Sequence, residues 1–430
     1  MTTKTFSSDV RSITWWLFLA QLFLAVSLPG GSVYGLPLKT IAFGLFLFFF
    51  LVELATTRCW FSPGEMTFIG AVTACLCFWS LVGLLRGQAE ADQVLAQLRE
   101  VASAIAVAFL CIFAIRRGLV RAETLIKVIT YGIFAVSAVK VALVAGSFLG
   151  DFDLIPTTQR IFGEETHVGL GGIGFPRLDF PADTLGAFAL FALLAPSVSG
   201  VRFDRISKLL ISVVIVLGSG LLTYARAIWA VYVACTFVAM IVERSWKTMV
   251  ITILAVIALG AWGHDVISDV VEERFGIAGE FSDIGRIEQA NTLMGEFERR
   301  PILGKGMGAH HDADYRDIKE RYSYELLWLG FLMQFGIMGE IGILMLVAAS
   351  ARDLLMARHP AKYWVLLVFA LWLGENCFNP HMISSFAGAT FGLFMAMFFR
   401  MRNMPLNGAG RVWLAAGSPA VGLAGSRSRP

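Results

Sequence analysis

The stretch TIAFGLFLFFFLVELATT, residues 40–57, is long enough to cross a bilayer as a helix and carries a single ionisable side chain, Glu53. About eleven further apolar runs have a spanning or near-spanning length. They lie near residues 12–29, 66–85, 101–115, 124–148, 182–198, 207–222, 225–242, 247–263, 323–349, 361–380 and 383–399. The chain is 57% hydrophobic and 16% charged with a mean hydropathy of +0.70, so its apolar surface does not fit into one soluble core. We therefore expect an all-α, polytopic integral membrane protein with about twelve transmembrane helices in one domain, residues 1–400.

The positions of Lys and Arg in the short connections predict the orientation, because cytoplasmic loops retain positive charge. The basic clusters fall on one side of the membrane if the N-terminus is inside. They are Arg58; Arg116, Arg117 and Arg121; Arg202, Arg205 and Lys208; Arg244 and Lys247; Arg352, Arg358 and Lys362; and Arg400 and Arg402. An even number of spans then places both termini in the cytoplasm and two long loops, residues 150–184 and 264–322, outside. The first apolar segment lacks a convincing small-residue cleavage site, which favours a retained helix over a signal peptide.

The second long loop, residues 264–322, is highly charged and interrupts almost continuous apolar sequence. We expect it to be a helical catalytic or recognition lid, because chemistry is commonly carried by loops on a rigid scaffold. Within it Arg286 precedes an amphipathic stretch, whose apolar residues are Ile287, Ala290, Leu293, Met294 and Phe297. A glycine-rich run and the pair His310 and His311 follow. The glycine-rich run, residues 304–308, lacks the full phosphate-loop pattern and follows no strand, so we do not expect a nucleotide site.

Ionisable side chains at membrane depth are costly and are therefore candidates for function. Arg226 lies at a tight turn between two apolar runs, where it either serves a site or snorkels to the interface. Lys140 lies in the outer half of its run, and the same two interpretations apply. Another polar cluster at a helix end either caps that helix or lines a cavity with the long loop. It consists of Glu375, Asn376, Asn379 and His381.

Other site classes find little support in the sequence. The six cysteines show no paired spacing in the long loops, so neither a metal nor a disulfide is expected, and no cofactor is indicated. The net charge of +3 reflects the bias of the inner loops and does not indicate nucleic acid. Residues 403–430, rich in Gly, Ser and Arg, are predicted to be a disordered cytoplasmic tail.

Four features in this order resemble the O-antigen ligase and polymerase superfamily. They are Arg226 in a Thr-x-x-Arg-Ala-x-Trp context, Arg286 opening an amphipathic helix, the run Arg300-Pro301-Ile302-Leu303-Gly304-Lys305-Gly306-Met307-Gly308, and residues 325–339. The resemblance implies a bacterial inner-membrane enzyme that moves glycans from a polyprenyl (undecaprenyl) diphosphate carrier at the periplasmic face. Its partners would be that lipid-linked oligosaccharide, the lipid bilayer and other polysaccharide assembly and export proteins, with no nucleic acid.

The resemblance also suggests residue roles. Arg226 and Arg286 would clamp the diphosphate without a metal, since the guanidinium fork pairs with two phosphate oxygens. Where ligases of this kind carry a His, this chain has Glu325, which is either the general base or an acid favoured by the helix dipole. His310 or His311 could supply the base instead. The remaining substrate-binding candidates are Arg300, Lys305, Arg160 and Arg177.

Because the family His is missing, the sequence favours a polymerase that extends a lipid-linked repeat unit. A ligase that transfers glycan to a lipid A-core acceptor is the close alternative, and a transferase to protein is a third. A transporter or flippase for the lipid-linked oligosaccharide belongs to another class. It should need charges on both faces and along a central path, whereas the unusual residues here are concentrated on one side. A structural subunit would leave Arg226 and Arg286 unexplained.

Overall fold

The computed structural model describes residues 2–28, 36–57, 61–87, 89–150, 153–162, 167–170, 176–223, 225–245, 277–311, 321–377 and 385–404. The helices are α1 (Thr2–Ser27), α2 (Leu38–Thr57), α3 (Pro63–Leu85), α4 (Ala91–Arg116), α5 (Ala122–Phe148), α6 (Leu154–Phe162), α7 (Asp183–Leu194), α8 (Pro196–Ser199), α9 (Arg205–Ile215), α10 (Arg226–Val242), α11 (Ile277–Arg299), α12 (Leu327–Leu355), α13 (Lys362–Glu375) and α14 (Ser385–Asn403). A π turn (Val216–Gly220) and a 3-10 turn (Leu221–Thr223) extend α9 towards α10. Strands β1 (His167–Leu170) and β2 (Pro176–Asp179) pair antiparallel, with His167 opposite Asp179.

The prediction of an all-α protein is confirmed, apart from that short strand pair. Six helices are long and apolar enough to cross a membrane: α2, α3, α4, α5, α9 with its two turns, and α12. Most of α1, all of α7 and all of α10 are shorter apolar helices. Each predicted apolar run overlaps a helix except residues 247–263, which lie outside the described part of the chain. The described chain is thus an all-helical protein with six candidate membrane-spanning helices.

Local sequence explains where several helices begin. Ser62 starts α3 through a capping box, in which its hydroxyl accepts from the Glu65 amide at 3.3 Å and the Glu65 carboxylate accepts from the Ser62 amide at 2.6 Å. Pro63 fits the first helical position because it has no amide hydrogen to satisfy. Asp204 starts α9 by accepting a hydrogen bond from the Ser207 amide at 2.9 Å.

Helix α7 lies at the centre of the helical bundle. Every residue from Asp183 to Leu193 is buried, so the helix is covered on all sides. It packs against α5 and α10, while α14 packs along α4 and α1 packs between α2 and α5. A helix of this length is short for a span but suits a position that is enclosed by other helices.

One end of the bundle, which we call the basic end, carries ion pairs between helices. Arg116 pairs with Asp353 at 3.0 Å, and Arg402 pairs with the same carboxylate. Similar contacts join Arg117 to Glu65 at 2.9 Å and Arg400 to Glu123 at 3.0 Å. These four arginines, all predicted for the inner loops, therefore share one end. The opposite end, with the C-terminus of α3 and the N-termini of α4, α7, α10 and α12, carries α11 and the two strands; we call it the loop end.

Two expectations for the long polar segments need adjustment. The first loop, residues 150–184, contains the short helix α6 and the strand pair. In the second, residues 277–311 and 321–322 are described, whereas residues 264–276 and 312–320 are not. Arg286 does not open its helix, because α11 begins nine residues earlier at Ile277. Of the predicted tail, Asn403 ends α14 and residues 405–430 lie outside the described chain.

Candidate functional site

The glycine-rich run is buried between the helices at the loop end. Residues 304–309 are all buried, and their backbone pairs with neighbouring helices. The Lys305 amide donates to Met333 O at 2.9 Å, and the Met307 amide donates to Trp79 O at 3.0 Å. Arg86 adds a side-chain bond to Gly304 O at 2.5 Å. The described part of the expected lid is therefore a helix followed by a segment inserted among α3, α4 and α12.

Helix α12 is interrupted where this segment enters. Gly336 has φ 62° and ψ −172°, so the helical hydrogen-bond ladder breaks there. The freed amide of Ile337 donates to Pro301 O at 2.8 Å, and that of Met338 donates to Ile302 O at 3.2 Å. Irregular backbone at membrane depth requires such replacement partners, because lipid supplies none.

The glycines of the run allow this close approach of two backbones. Gly304, Gly306 and Gly308 have φ values of 66°, 101° and 77°, in the left-handed region. A Cβ on Gly304 would collide with the Gln334 carbonyl, and one on Gly306 would collide with the Gly83 amide. The run is therefore a packing element.

Two buried glutamines bind the end of the run. Gln97 accepts a hydrogen bond from the Gly308 amide at 2.6 Å and donates to Gln334 Oε1 at 2.7 Å. Gln334 Nε2 donates to Ala309 O at 3.0 Å and to Tyr322 O at 3.1 Å. Each amide group thus joins the backbone on one or both sides of residues 312–320. Neither residue was anticipated from the sequence. A Gln within an otherwise apolar run is a signal that could have found Gln334, whereas Gln97 lies in a polar segment and carries no such signal.

The structure brings two of the three predicted catalytic residues into contact. Arg286 Nε donates to Glu325 Oε2 at 2.9 Å, and both side chains are partly exposed, at 28% and 35%. Gln289, one turn further along α11, accepts from the Leu326 amide at 3.2 Å. These contacts fix α11 against the start of α12, with Glu325 two residues before the first helical residue, Leu327. The pair is open enough to meet a substrate and close enough for the guanidinium to orient the carboxylate.

Lys305 and Arg300 differ in how their charges are satisfied. Lys305 is almost fully buried and pairs with Glu296 at 2.5 Å, while Arg299 pairs with the same carboxylate at 2.9 Å. Burial raises the pKa of Glu296, but the hydrogen bond and charge of Lys305 outweigh it and hold that pKa below its usual value. Arg300 Nη1 is buried and finds no hydrogen-bond partner in the described part of the chain. Arg300 is thus the more suitable of the two for an external anion.

The two histidines lie beside the run. His310 Nδ1 is 3.4 Å from Gly308 O, and the His311 amide donates to the Tyr324 hydroxyl at 2.9 Å. Tyr324 is fully buried and immediately precedes Glu325. Both histidines are half-buried, and the bond to Tyr324 places His311 in the same region as the Arg286–Glu325 pair.

The other candidate arginines lie on different elements of the loop end. Arg226 is the first residue of α10 and is half-buried. Arg177 on β2 pairs with Asp179 at 3.2 Å, and β2 packs against the 3-10 turn that precedes α10. Arg160 is exposed in the last turn of α6. The structure thus places Arg177 and Arg226 on adjoining elements, separately from the pair made by Arg286.

Lys140 faces inward and does not snorkel. Its side chain is 0% exposed, and its ammonium pairs with Asp183 at 2.5 Å. In the predicted cluster at the end of α13, Glu375 and Asn376 are buried, and Thr184 donates to Glu375 at 3.3 Å. This agrees with a structural role, while Asn379 and His381 lie outside the described residues. The acid partner of Lys140 was not anticipated, because Asp183 precedes an apolar run and looks like an ordinary helix-start residue.

Within the described part of the chain, no group of three or more His, Cys, Asp or Glu side chains could hold a metal ion. No protein-family model matches the sequence, and no curated protein matches it.

Proposed function

We propose that the protein is a glycosyltransferase of the bacterial inner membrane, with about twelve spans and both termini in the cytoplasm. It transfers glycan from a polyprenyl (undecaprenyl) diphosphate carrier to a lipid-linked repeat-unit acceptor at the periplasmic face, without a metal. The observation that carries this proposal is the partly exposed Arg286–Glu325 pair at the start of a candidate span. The order of motifs that resembles the O-antigen ligase and polymerase superfamily supports it.

The donor side of the reaction needs cations, because negative charge builds on the diphosphate as the glycosidic bond breaks. Arg286 is partly exposed, and Arg300 holds a buried nitrogen that lacks a partner among the described residues. Arg286 lies on α11, and Arg300 follows its last residue, directly before the glycine-rich run that inserts among the helices. Arg226, at the start of α10, is the third cation assigned to the diphosphate. Each guanidinium can pair with two phosphate oxygens.

The acceptor side needs a base. The Glu325 carboxylate, oriented by Arg286 through one oxygen, would take the proton from the acceptor hydroxyl as that oxygen attacks the anomeric carbon. The bond to the diphosphate breaks on the opposite face, so the anomeric configuration inverts and the lipid diphosphate leaves with the negative charge. His311, beside Tyr324, is the alternative base. The missing family His is thereby replaced by a carboxylate that already has an orienting partner.

The experiment uses the full chain in lipid nanodiscs with a synthetic undecaprenyl-diphosphate oligosaccharide as both donor and acceptor, with and without a metal chelator. Gels report chain growth, and chromatography reports free lipid diphosphate. We expect ladder products that persist in chelator and are lost in Arg286→Ala and Glu325→Gln. Arg299→Ala is the matched control, because Arg299 lies on the same helix and is 75% exposed in a different ion pair.

The outcomes separate the alternatives. Product only when lipid A-core is added would identify a ligase instead of a polymerase. Loss of activity in His311→Ala with Glu325→Gln active would transfer the base role to the histidine. Donor that crosses the bilayer with no glycan transferred to any acceptor would replace the enzyme with a transporter.

A further inference from the structure

Lys140 forms the most enclosed polar cluster of the described bundle. Its ammonium donates to Asp183 Oδ2 at 2.5 Å and to Leu178 O at 2.7 Å, and lies 3.4 Å from Gly218 O. The ring of Phe180 lies 4.4 Å from the same nitrogen, measured to its centroid. A lysine ammonium has three hydrogens, and the three oxygens account for them.

These partners come from three different elements. Leu178 lies on β2, Asp183 begins α7, and Gly218 lies in the π turn after α9. Asp183 strengthens the connection to the strand, because the same Oδ2 accepts from the Phe180 amide at 2.7 Å. Lys140, on α5, is thus the point at which four elements meet.

The π turn is held against α5 by backbone contact as well. A Cβ on Gly218 would lie 2.6 Å from Ser137 Cα, so only glycine fits there. One residue later, the Ser219 hydroxyl shares a 2.7 Å hydrogen bond with the Ser137 hydroxyl. π turns of this kind occur frequently at functional sites, since they shift the residues that follow them.

The tethered elements lead directly to two of the candidate cations. Arg177 precedes Leu178 on β2. On the other branch, Gly220 O accepts from Thr223 Oγ1 at 2.7 Å and from Trp229 Nε1 at 3.0 Å, which fixes the turn that ends at Arg226. Lys140 therefore binds both the strand that carries Arg177 and the π turn that leads to Arg226.

We propose that Lys140 and Asp183 form a positioning unit, which holds Arg177 and Arg226 at fixed places on two separate elements so that both meet one diphosphate. The unit itself does not touch substrate. The proposal rests on the proposed function in one respect, that Arg226 binds the diphosphate of the donor, and it adds Arg177 on the adjoining strand as a second contact. An apolar pair of similar volume would join the helices without the cost of burying two charges. The ion pair instead fixes hydrogen-bond directions. Lys140 donates towards the Leu178 and Gly218 carbonyls, and Asp183 accepts from the Phe180 amide.

The test combines hydrogen exchange with kinetics in nanodiscs. In Lys140→Met, we expect the amides of residues 177–180, 182 and 216–223 to exchange roughly tenfold faster. The lysine that tethers both segments through the Leu178 and Gly218 carbonyls is then gone, so the segments open more often. Displacement of the two arginines should lower kcat/KM for the undecaprenyl-diphosphate donor by about 100-fold, the usual scale for a small misplacement. Most of this should appear in KM if the arginines bind the donor before the reaction.

The charge-swapped double variant Lys140→Asp with Asp183→Lys distinguishes positioning from simple attraction. It keeps an ion pair, so folded yield should recover, but an aspartate cannot donate to Leu178 O and Gly218 O. We therefore expect fast exchange and low kcat/KM to persist in the swap. Lys127→Met removes a lysine from the other part of α5, where it lies over the Phe203 ring, and should leave both measurements unchanged.

Two results would overturn the positioning role: wild-type exchange in folded Lys140→Met, or full recovery of exchange and kcat/KM in the swap. If Lys140→Met does not accumulate, Lys140→Gln leaves a neutral donor beside Asp183, and the same comparison applies. Failure of the proposed function has a different signature. In that case the wild type transfers no glycan, while the exchange data still decide whether Lys140 positions the two elements.

Discussion

The loop end contains two buried polar clusters that perform the same task with different chemistry. Around Lys140, an ion pair holds the strand β2 and the π turn against α5 and α7. Around Gln334, neutral amides hold the glycine-rich run against α4 and α12. In both places, a side chain on a candidate membrane-spanning helix satisfies backbone carbonyls that no helix satisfies.

The comparison shows two ways to keep irregular backbone inside a helical bundle. Neutral amides carry both donors and acceptors, and a lost partner leaves unpaired but uncharged groups. An ion pair fixes direction more strongly, but loss of one member leaves an uncompensated buried charge. We expect the two clusters to respond very differently to single substitutions, and the following experiments test that difference.

The largest effect should come from Gly306→Ala. The residue has φ 101° and its Cβ would collide with the Gly83 amide, so the run could not insert among the helices whatever the glutamines do. We expect a loss of about 5 kcal/mol or more in the free energy of unfolding, enough to prevent accumulation of folded protein. Fluorescence-detected size exclusion after heating measures this. Gly295→Ala is the control, because nothing lies within 4 Å of its Cβ position, and it should melt no earlier than the wild type.

Lys140→Met and Gln334→Met compare the two clusters directly. The first leaves Asp183 buried without its ion-pair partner, at a cost of about 3–5 kcal/mol. The second leaves the Ala309 and Tyr322 carbonyls without their donor, at a cost of about 1–3 kcal/mol. Chemical denaturation in detergent measures both. If Gln334→Met lowers the free energy of unfolding as much as Lys140→Met does, the ion-pair cluster is not the more sensitive of the two to a single substitution.

The extent to which sequence reasoning succeeded differs between these regions. The apolar runs predicted the helices because hydrophobicity and length are local properties. Arg286 and Glu325, 39 positions apart, were both found through the resemblance, Arg286 by the amphipathic stretch that follows it and Glu325 by its place where related ligases carry a His. Their contact was not foreseen, since it depends on α11 folding back along the start of α12.

The sequence could not predict that the glycine-rich run inserts among the helices, and the reason is physical. Polarity around residues 264–322 favoured an exposed loop, whereas burial of residues 304–309 depends on long-range partners. Gly83 on α3, Gln97 on α4 and Gly336 on α12 each look unremarkable in their own helices. Space for the glycine-rich run arises only when α3, α4 and α12 pack together, and this packing is a tertiary property.

A smaller effect is expected for Lys305→Met, which removes the partner of Glu296. The ion pair is nearly buried, and a hydrogen bond to a charged group contributes about 2 kcal/mol. Because the pKa of Glu296 lies below its usual 4.5, the pair stabilises the fold at pH above 4.5, and this contribution is lost as pH falls through the lowered value. Melting temperatures between pH 7 and pH 3 should therefore converge for the two proteins at the acidic limit. A difference that stays constant across this range would contradict the linkage.

The basic end should respond to pH at a higher value. His359 lies between α12 and α13, and its Nδ1 accepts from the Ala361 amide at 3.1 Å. Burial lowers the pKa of His359 below 6.5, and the charge of Arg400 lowers it further, against an opposing effect of Glu243. The folded state therefore binds this proton less readily than the unfolded chain does. Stability is complete above pH 6.5 and is lost as pH falls through the lowered pKa. His359→Gln should remove this step from the melting profile, and a wild-type profile that is flat from pH 7 to pH 5 would refute the prediction.

The smallest effect should follow Arg402→Ala at the basic end. Arg402 and Arg116 both pair with Asp353, and both arginines are more than half exposed. Solvent and salt screen such pairs, so the expected loss is about 0–1 kcal/mol and should disappear in high salt. Arg116 also remains to neutralise Asp353 when Arg402 is absent, whereas Asp183 has only Lys140 as an ion-pair partner among the described residues. If Arg402→Ala destabilised the protein as much as Lys140→Met, burial would not determine how much an ion pair contributes to stability here. A double variant with Arg116→Ala then measures whether the two arginines substitute for each other, as we expect from a shared carboxylate.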